Sequence, residues 1–264
     1  MVDKGGFNND ELIKPDFDKL INYDGFIGLF EQNTKKNLIG YIYLNKYDDL
    51  GYINRITVRK NKRGQGMGAK LFSYALDYFL DKNVNEIVLY VETKNEPALN
   101  LYQKYGFNII NESWHYIFEI EQFAKHISPT LKIESCFIKE LSLDQINSLP
   151  NIFGSQCNFK ELIGSYDRDI STNNKNNYYL GLYQNDELVL FARFNQSYSG
   201  CRPLHYLNLE YVDIFIELLK NHNYIEKDYL RITFDNYSDL AELFSHRNYK
   251  MHHHLYRMKK VTKN

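Results

Sequence analysis

Leu99, Leu101, Tyr102, Gly106 and Phe107 recur at one fixed spacing later in the chain as Ala241, Leu243, Phe244, Asn248 and Tyr249. A repeat constrains the fold more than any single motif, because each copy of a supersecondary unit must bury the same face in the same order. In both copies the matched stretch reads as a helix closed by a residue that tolerates a left-handed backbone, glycine in one and asparagine in the other. An aromatic strand follows each, Trp114–Ile120 and Leu255–Met258. Gly28-Leu29-Phe30 opens a hairpin in the first half, and Gly181-Leu182-Tyr183 sits in its counterpart. Two copies of one α/β unit are expected, joined near residues 123–130, with bounds of 1–126 and 127–264.

The first copy is the more legible. Short helical pieces are expected around Pro15. Apolar, aromatic-rich runs then flank the polar turn Gln32–Asn37 as a hairpin over Gly25–Leu44, and Tyr52–Val58 adds a third strand. Leu71, Phe72, Ala75, Leu76 and Phe79 fall at helical spacing within Ala69–Leu80. Ile87–Val91 is a short apolar run of the kind that forms a buried strand, and Pro97–Tyr105 reads as a helix ending at Gly106. In the second copy Ile138–Leu149 reads as a strand and then a helix capped by Ser142, with Gln145 three residues on. The first copy shows no clear equivalent of that start. Between the matched anchors the second half is shorter, and Ser197–Pro203 stands where the first half carries a basic, glycine-rich stretch.

That stretch, Arg63-Gly64-Gln65-Gly66-Met67-Gly68, lies between a strand and a helix. Glycines there let the backbone approach a ligand, and the free N–H groups of a helix N-terminus suit an anion, phosphate above all. The spacing fits neither the dinucleotide fingerprint nor the P-loop. The pattern R-x-x-G-x-G, following a strand that ends in Ile56-Thr57-Val58, resembles the acetyl-CoA pyrophosphate loop of the GNAT N-acetyltransferase superfamily. Asn95–Phe107 is similar to that family's second signature, N-x-x-A-x-x-L-Y-x-K-x-G-F. The resemblance covers about residues 25–120 closely and the second half only in element order.

Several expectations follow from the resemblance. The fold is α/β, an α+β mixed sheet in two GNAT-like units, each a mostly antiparallel central sheet flanked by helices, the second copy degenerate. The first unit binds acetyl-CoA as co-substrate. Backbone amides of Arg63, Gly64, Gln65, Gly66, Met67 and Gly68 would hold its pyrophosphate, aided by the helix dipole. Ile56, Thr57 and Val58 would pair with the pantetheine arm, and the Val58 N–H would polarise the thioester carbonyl. Asn95 would anchor the neighbouring splayed strand and the cofactor. Tyr102 matches the family's general acid, a phenol that returns a proton to the departing thiolate; its other reading is a core aromatic in a chain with 23 tyrosines. Lys104 either reaches a CoA phosphate or is a solvated helix lysine. The base departs from the family pattern. The strand leading to the loop shows Tyr52 and Asn54 instead of a carboxylate, and the next strand has Tyr90 where relatives often have glutamate. Glu92, two residues on and on the same face, is the candidate base, with ordered water as the alternative.

Charge and composition narrow the rest. Lys+Arg of 32 against Asp+Glu of 33 opposes a protein that grips nucleic acid. No stretch is long enough to cross a bilayer, and the opening Met1–Phe7 has no apolar signal region, so a soluble, cytoplasmic protein is expected. Cys136, Cys157 and Cys201 suggest neither a disulfide framework nor a zinc knuckle and read as reduced, buried thiols. His252-His253-His254 cannot all converge on one ion from a strand, and no metal is expected. Residues 127–264 have no anion-binding loop and are expected to be structural or to shape an acceptor pocket. The expected activity is transfer of an acetyl or short acyl group from acetyl-CoA to a primary amine, on a small-molecule or peptide acceptor. A non-catalytic acyl-CoA sensor and a Fem-type aminoacyl transferase are the rival readings, and neither acceptor nor oligomeric state is legible.

Overall fold

The structure is a computed structural model and describes residues 24–31, 37–126, 133–154 and 158–262. The expected helical pieces around Pro15, the hairpin tip at 32–36, residues 127–130 of the joining segment and Cys157 lie outside the described residues. The chain divides into two compact units, Met1–Asn111 with Leu255–Asn264, and Glu112–His254.

In the first unit β1 (Phe26–Phe30), β2 (Leu38–Tyr47) and β3 (Leu50–Val58) form an antiparallel meander. A single 3-10 turn, Lys60–Lys62, leads to α1 (Met67–Asp81), β4 (Glu86–Glu92) and α2 (Glu96–Lys104). Alternation along the strands sends Ile42, Leu44, Ile53, Ile87 and Leu89 to one face, where Leu71, Phe72, Ala75 and Phe79 of α1 cover them. Burying each such side chain contributes about 1.5–3 kcal/mol. Phe79 packs flat against strand backbone, because a Cβ on Gly51 would stand 2.8 Å from its ring.

The second unit repeats the order. After α3 (Ile120–Ala124) come β6 (Cys136–Glu140), α4 (Leu143–Phe153) and α5 (Phe159–Ser171). The expected Ser142–Gln145 capping box is present at α4. Then follow β7 (Asn177–Gln184), β8 (Glu187–Asn195), β9 (Gly200–Tyr206), α6 (Glu210–Asn221), β10 (Tyr229–Asp235) and α7 (Ser238–His246). Phe194, Phe215, Ile232, Phe234 and Phe244 fill its core. α2 and α7 end identically. Gly106 and Asn248 hold φ of 84° and 57°, and the amides of Phe107 and Tyr249 each donate 3.0 Å to the carbonyl five residues back.

The closing strands of the two copies are exchanged. β5 (Asn108–Glu119), which follows α2 in sequence, pairs antiparallel with β10 through Ser113–Glu119, inside the second unit. β11 (Lys250–Val261), which follows α7, pairs antiparallel with β4 through Leu255–Val261, inside the first. The first unit therefore orders its strands β1-β2-β3-β4-β11, and the second β5-β10-β9-β8-β7-β6. These are mixed, mostly antiparallel sheets, with β3/β4 and β9/β10 the parallel pairs. A cut at residue 126 separates each unit from one of its strands.

One placement is corrected. Ser197–Pro203 does not replace the glycine loop; it forms the β8/β9 turn and the start of β9, with Asn195 paired to Gly200. The place of the loop is taken by three residues, 207–209, that carry β9 straight into α6.

Candidate active site

β3 and β4 start as neighbours and then part. They pair in parallel only from Leu50↔Glu86 to Ile53↔Leu89. At that point an extra residue, Asn54, bulges from β3, since Tyr43 faces Arg55 and Leu44 faces Ile53. A bulge re-aims a strand. Beyond it Tyr90–Glu92 pair with β11 on their other side, while Arg55–Val58 keep only β2 among the described residues. One edge of β3 is thus open over the residues that precede the loop.

Backbone alternation decides which groups use that edge. The Arg59 N–H donates to the Ile39 carbonyl at 2.8 Å. Its neighbour Val58, opposite Gly40, and Ile56, opposite Ile42, therefore turn their N–H and C=O groups away from β2, towards the side that β4 has left. The Val58 carbonyl is held there by the Arg63 guanidinium, whose Nε donates to it at 2.9 Å. Arg63 thus ties the loop to the strand end. Thr57 Oγ1 is buried with no partner among the described residues, an open hydrogen-bonding position in the same segment.

Past Arg63 the loop turns at Gly64 and Gly66, with φ of 74° and 77°. Both values lie in the left-handed region that side chains avoid. A Cβ built at Gly64, Gly66 or Gly68 meets nothing within 4 Å, so the loop lies beside open space. Gly66 is the N-cap of α1 and supplies no side-chain acceptor, and the first turn holds no acidic residue. The N–H groups that open α1 therefore face that space without an internal partner, at the positive end of a fifteen-residue helix.

The second signature sits close by in the fold. Asn95 caps α2, its side chain accepting from the Ala98 N–H at 3.4 Å, and its own N–H donates to the Glu92 carbonyl at 2.9 Å, which fixes the turn between β4 and α2. Tyr102 is 5% exposed and shares a core cluster with Val58 and Val91, its ring 4.9 Å from that of Phe72. Burial pushes its phenol up to about 12, so it holds its proton at neutral pH. The hydroxyl has no hydrogen-bond partner among the described residues. Lys104 is exposed in the last turn of α2. Glu92 ends β4, half-buried like Tyr90, and both alternate with buried Val91. The expected shared face of Tyr90 and Glu92 is thus present, but it is the face opposite Val91 and Tyr102. The fold brings the loop, the open edge of β3 and Tyr102 to one region and sets Glu92 on the other side of the sheet. Asn54 is exposed.

One residue on that second face, Arg257, escapes the sequence reading. Tyr52 meets Tyr90 edge-on at 6.2 Å, and Arg257 of β11, 8% exposed, lies 5.9 Å over the Tyr90 ring. Arg257 comes from the far end of the chain, and only the exchanged strand, which places it opposite Tyr90, could have pointed to it.

Elsewhere, Cys136 and Cys201 are buried as reduced thiols. Among the described residues there is no group of three or more side chains placed to hold a metal ion, and no helix long and apolar enough to cross a membrane. Of the histidine run, His254 pairs with Glu112 at 2.7 Å and stacks on Trp114.

Comparison with known proteins agrees with this geometry. Residues 6–107 match the Acetyltransferase (GNAT) family. A streptothricin acetyltransferase from Escherichia coli is 37% identical over 75 residues, 28% of this chain and 43% of that protein. The curated relatives are matched over less than half of their own lengths, from 20% for a mycothiol acetyltransferase of Corynebacterium aurimucosum to 48% for a yeast N-alpha-acetyltransferase 30. In fold, a GCN5-related N-acetyltransferase from Sphaerobacter thermophilus covers 94% of this chain and 85% of its own at a TM-score of 0.65 and 11% identity. A tandem GNAT protein from the clavulanic acid biosynthesis pathway covers 88% and 82% at 0.55 and 9%. Those two likenesses are of fold.

Proposed function

We propose that the protein is an N-acetyltransferase whose first unit passes an acetyl group from acetyl-CoA directly to a primary amine, and whose second unit binds no CoA. The observation that carries this reading is the parting of β3 from β4 immediately before an open glycine loop. The open edge offers N–H groups at Ile56 and Val58 to an extended acyl-pantetheine arm, and the loop amides offer an anion site for the pyrophosphate. Arg63 keeps the two in register through the Val58 carbonyl.

In the reaction the amine nitrogen bonds to the thioester carbon, the Val58 N–H stabilises the oxyanion, and the carbon–sulfur bond breaks. Tyr102, protonated because it is buried, gives its proton to the leaving thiolate. The proton lost by the amine goes to Glu92 or through ordered water, and Glu92 acts from the far face of the sheet. The second unit supports the division of labour. Among its described residues it has no glycine loop, Phe244 stands where the first unit has Tyr102, and Glu210 and Asp213 occupy the first turn of α6, the helix that corresponds to α1, where a phosphate would need a helix start without carboxylates.

Thermal unfolding with acetyl-CoA and with free CoA tests the reading first. A ligand at 100 times its dissociation constant adds about 2.7 kcal/mol to the folded state, an upward shift of several degrees. Arg63→Ala combined with Gly66→Glu should remove that shift and, in an amine panel read by thiol release, the turnover. Retention of both would sink the proposal. The exposed Asn54, with no carboxylate at the end of β3, favours one alternative, a non-catalytic acyl-CoA sensor. Tight acetyl-CoA binding without thiol release across the panel would select it.

A further inference from the structure

At the ends of β9 and β10 the second unit holds a cavity of about 380 Å³. These strands pair only at Arg231↔Gly200 and Ile232↔Cys201 and then part, so the cavity occupies the place that the open edge of β3 holds in the first unit. Its lining is of another kind. Tyr206 and Tyr237 stack with centroids 4.2 Å apart, Phe153 of α4 stands beside them, and Asp239 and Asn236 form the polar part of the rim. The Tyr206 hydroxyl donates to Asp239 Oδ1 at 2.7 Å. No lysine, arginine or histidine is among the described residues that line it.

Behind this wall lies His205, 1% exposed, its ring 5.8 Å from Phe153 and 6.2 Å from Tyr237. Neither of its nitrogens has a partner among the described residues. Buried polar groups are nearly always satisfied, and exceptions point to an unfilled role. Burial lowers its pKa to about 4, against the charge of nearby Asp235, so the imidazole is neutral near pH 7 and adds no positive charge behind the cavity.

We propose that this cavity binds a small primary ammonium ion, its nitrogen against the Asp239 carboxylate and its carbon body against Phe153, Tyr206 and Tyr237. The sign of the charge excludes the phosphate ligands that the first unit suits, because the lining carries a carboxylate and no cation. Aromatic faces attract a cation through their quadrupoles and shelter its apolar part. The volume lies in the range of small-molecule sites. The dipole of α7 does not reverse this preference, since Asp239 already sits in its first turn and balances it. The assignment stands apart from the acetyl-transfer reading, because binding is measured without acetyl-CoA or turnover.

The test uses tyramine and 4-hydroxyphenylacetate, which share a ring and differ in charge, titrated into the full chain by calorimetry. Tyramine should bind and the acid should not. Asp239→Asn, a change at an exposed position, should weaken tyramine at least tenfold while leaving the melting temperature in place, and Asp239→Lys should reverse the preference between the two probes. In proton NMR, the ring signals that vanish in His205→Gln should move when tyramine is added to the wild type. Equal binding of both probes, no binding of tyramine, or tyramine affinity unchanged in Asp239→Asn would each overturn the proposal. Failure of the acetyl-CoA thermal shift together with Asp239-dependent tyramine binding would refute the transferase reading and leave this one intact.

Discussion

Tyr102 and Phe244 hold equivalent places in α2 and α7 and differ by one oxygen. Phe244 is wholly buried against Phe234 and Tyr249, as Tyr102 is against Phe72 and Phe107, so the ring alone satisfies the packing in either unit. Tyr102→Phe should therefore change stability by less than about 1 kcal/mol, because it removes a hydroxyl with no partner among the described residues. If the phenol is the proton donor, the same change should lower kcat by about 10²-fold or more and leave the acetyl-CoA thermal shift intact. Because burial holds that phenol at about 12, the pH–rate profile of the wild type should show no loss of the acid below about pH 10. Thiol-release kinetics from pH 6 to 10, with melting curves on both proteins, checks each part. A variant that keeps full kcat would return Tyr102 to the role of a core aromatic.

Elements whose signals are local were legible in sequence. The Ser142–Gln145 capping box, the α1 face of Leu71, Phe72, Ala75 and Phe79, and the matched ends of α2 and α7 need only residues a few places apart. The bulge at Asn54 and the parting of β3 from β4 were not legible, since they arise from which strands pair and where pairing stops, and no periodicity within one strand records that. Ser197–Pro203 was misplaced for a related reason: a deletion between two matched anchors leaves its own position free. The helix ends offer a quantitative check on the part that was read correctly. Asn248 occupies a left-handed conformation that glycine also accepts and a β-branched residue resists. Asn248→Gly should stay within about 0.5 kcal/mol of wild type and Asn248→Val should lose about 1–2 kcal/mol. Gly106→Asn should be mild as well, because an added Cβ there meets only the flexible end of Lys260, at 3.2 Å. Urea denaturation of the three variants gives the ordering, and equal losses for glycine and valine at 248 would contradict it.

At the scale of the whole chain, the repeat was legible while its partition into bodies was not. Each closing strand follows a matched helix end in sequence, so sequence alone has no means of telling a strand that returns to its own copy from one that joins the other. The exchange makes each unit depend on residues from the opposite half. Met258 of β11 is wholly buried in the first unit's core beside Phe107, Lys260 Nζ donates to the Tyr105 carbonyl at 2.6 Å, and the Thr262 N–H donates to the Asn85 carbonyl at 2.9 Å. In the second unit Tyr116 and Phe118 of β5 pack against Phe234 and Phe244. A fragment of residues 1–126 therefore leaves β4 without its antiparallel neighbour, exposes the core around Met258, and carries a β5 whose partner β10 is missing. An unpaired strand with one apolar face is a route to aggregation. That fragment should fail to give the acetyl-CoA thermal shift although it contains the whole glycine loop and Tyr102. Co-expression with residues 127–264 should restore both a soluble complex and the shift. A fragment of 1–126 that folds and binds alone would show that the exchanged strand is dispensable to the first unit, and the dependence inferred from the pairing of β4 with β11 would then be wrong.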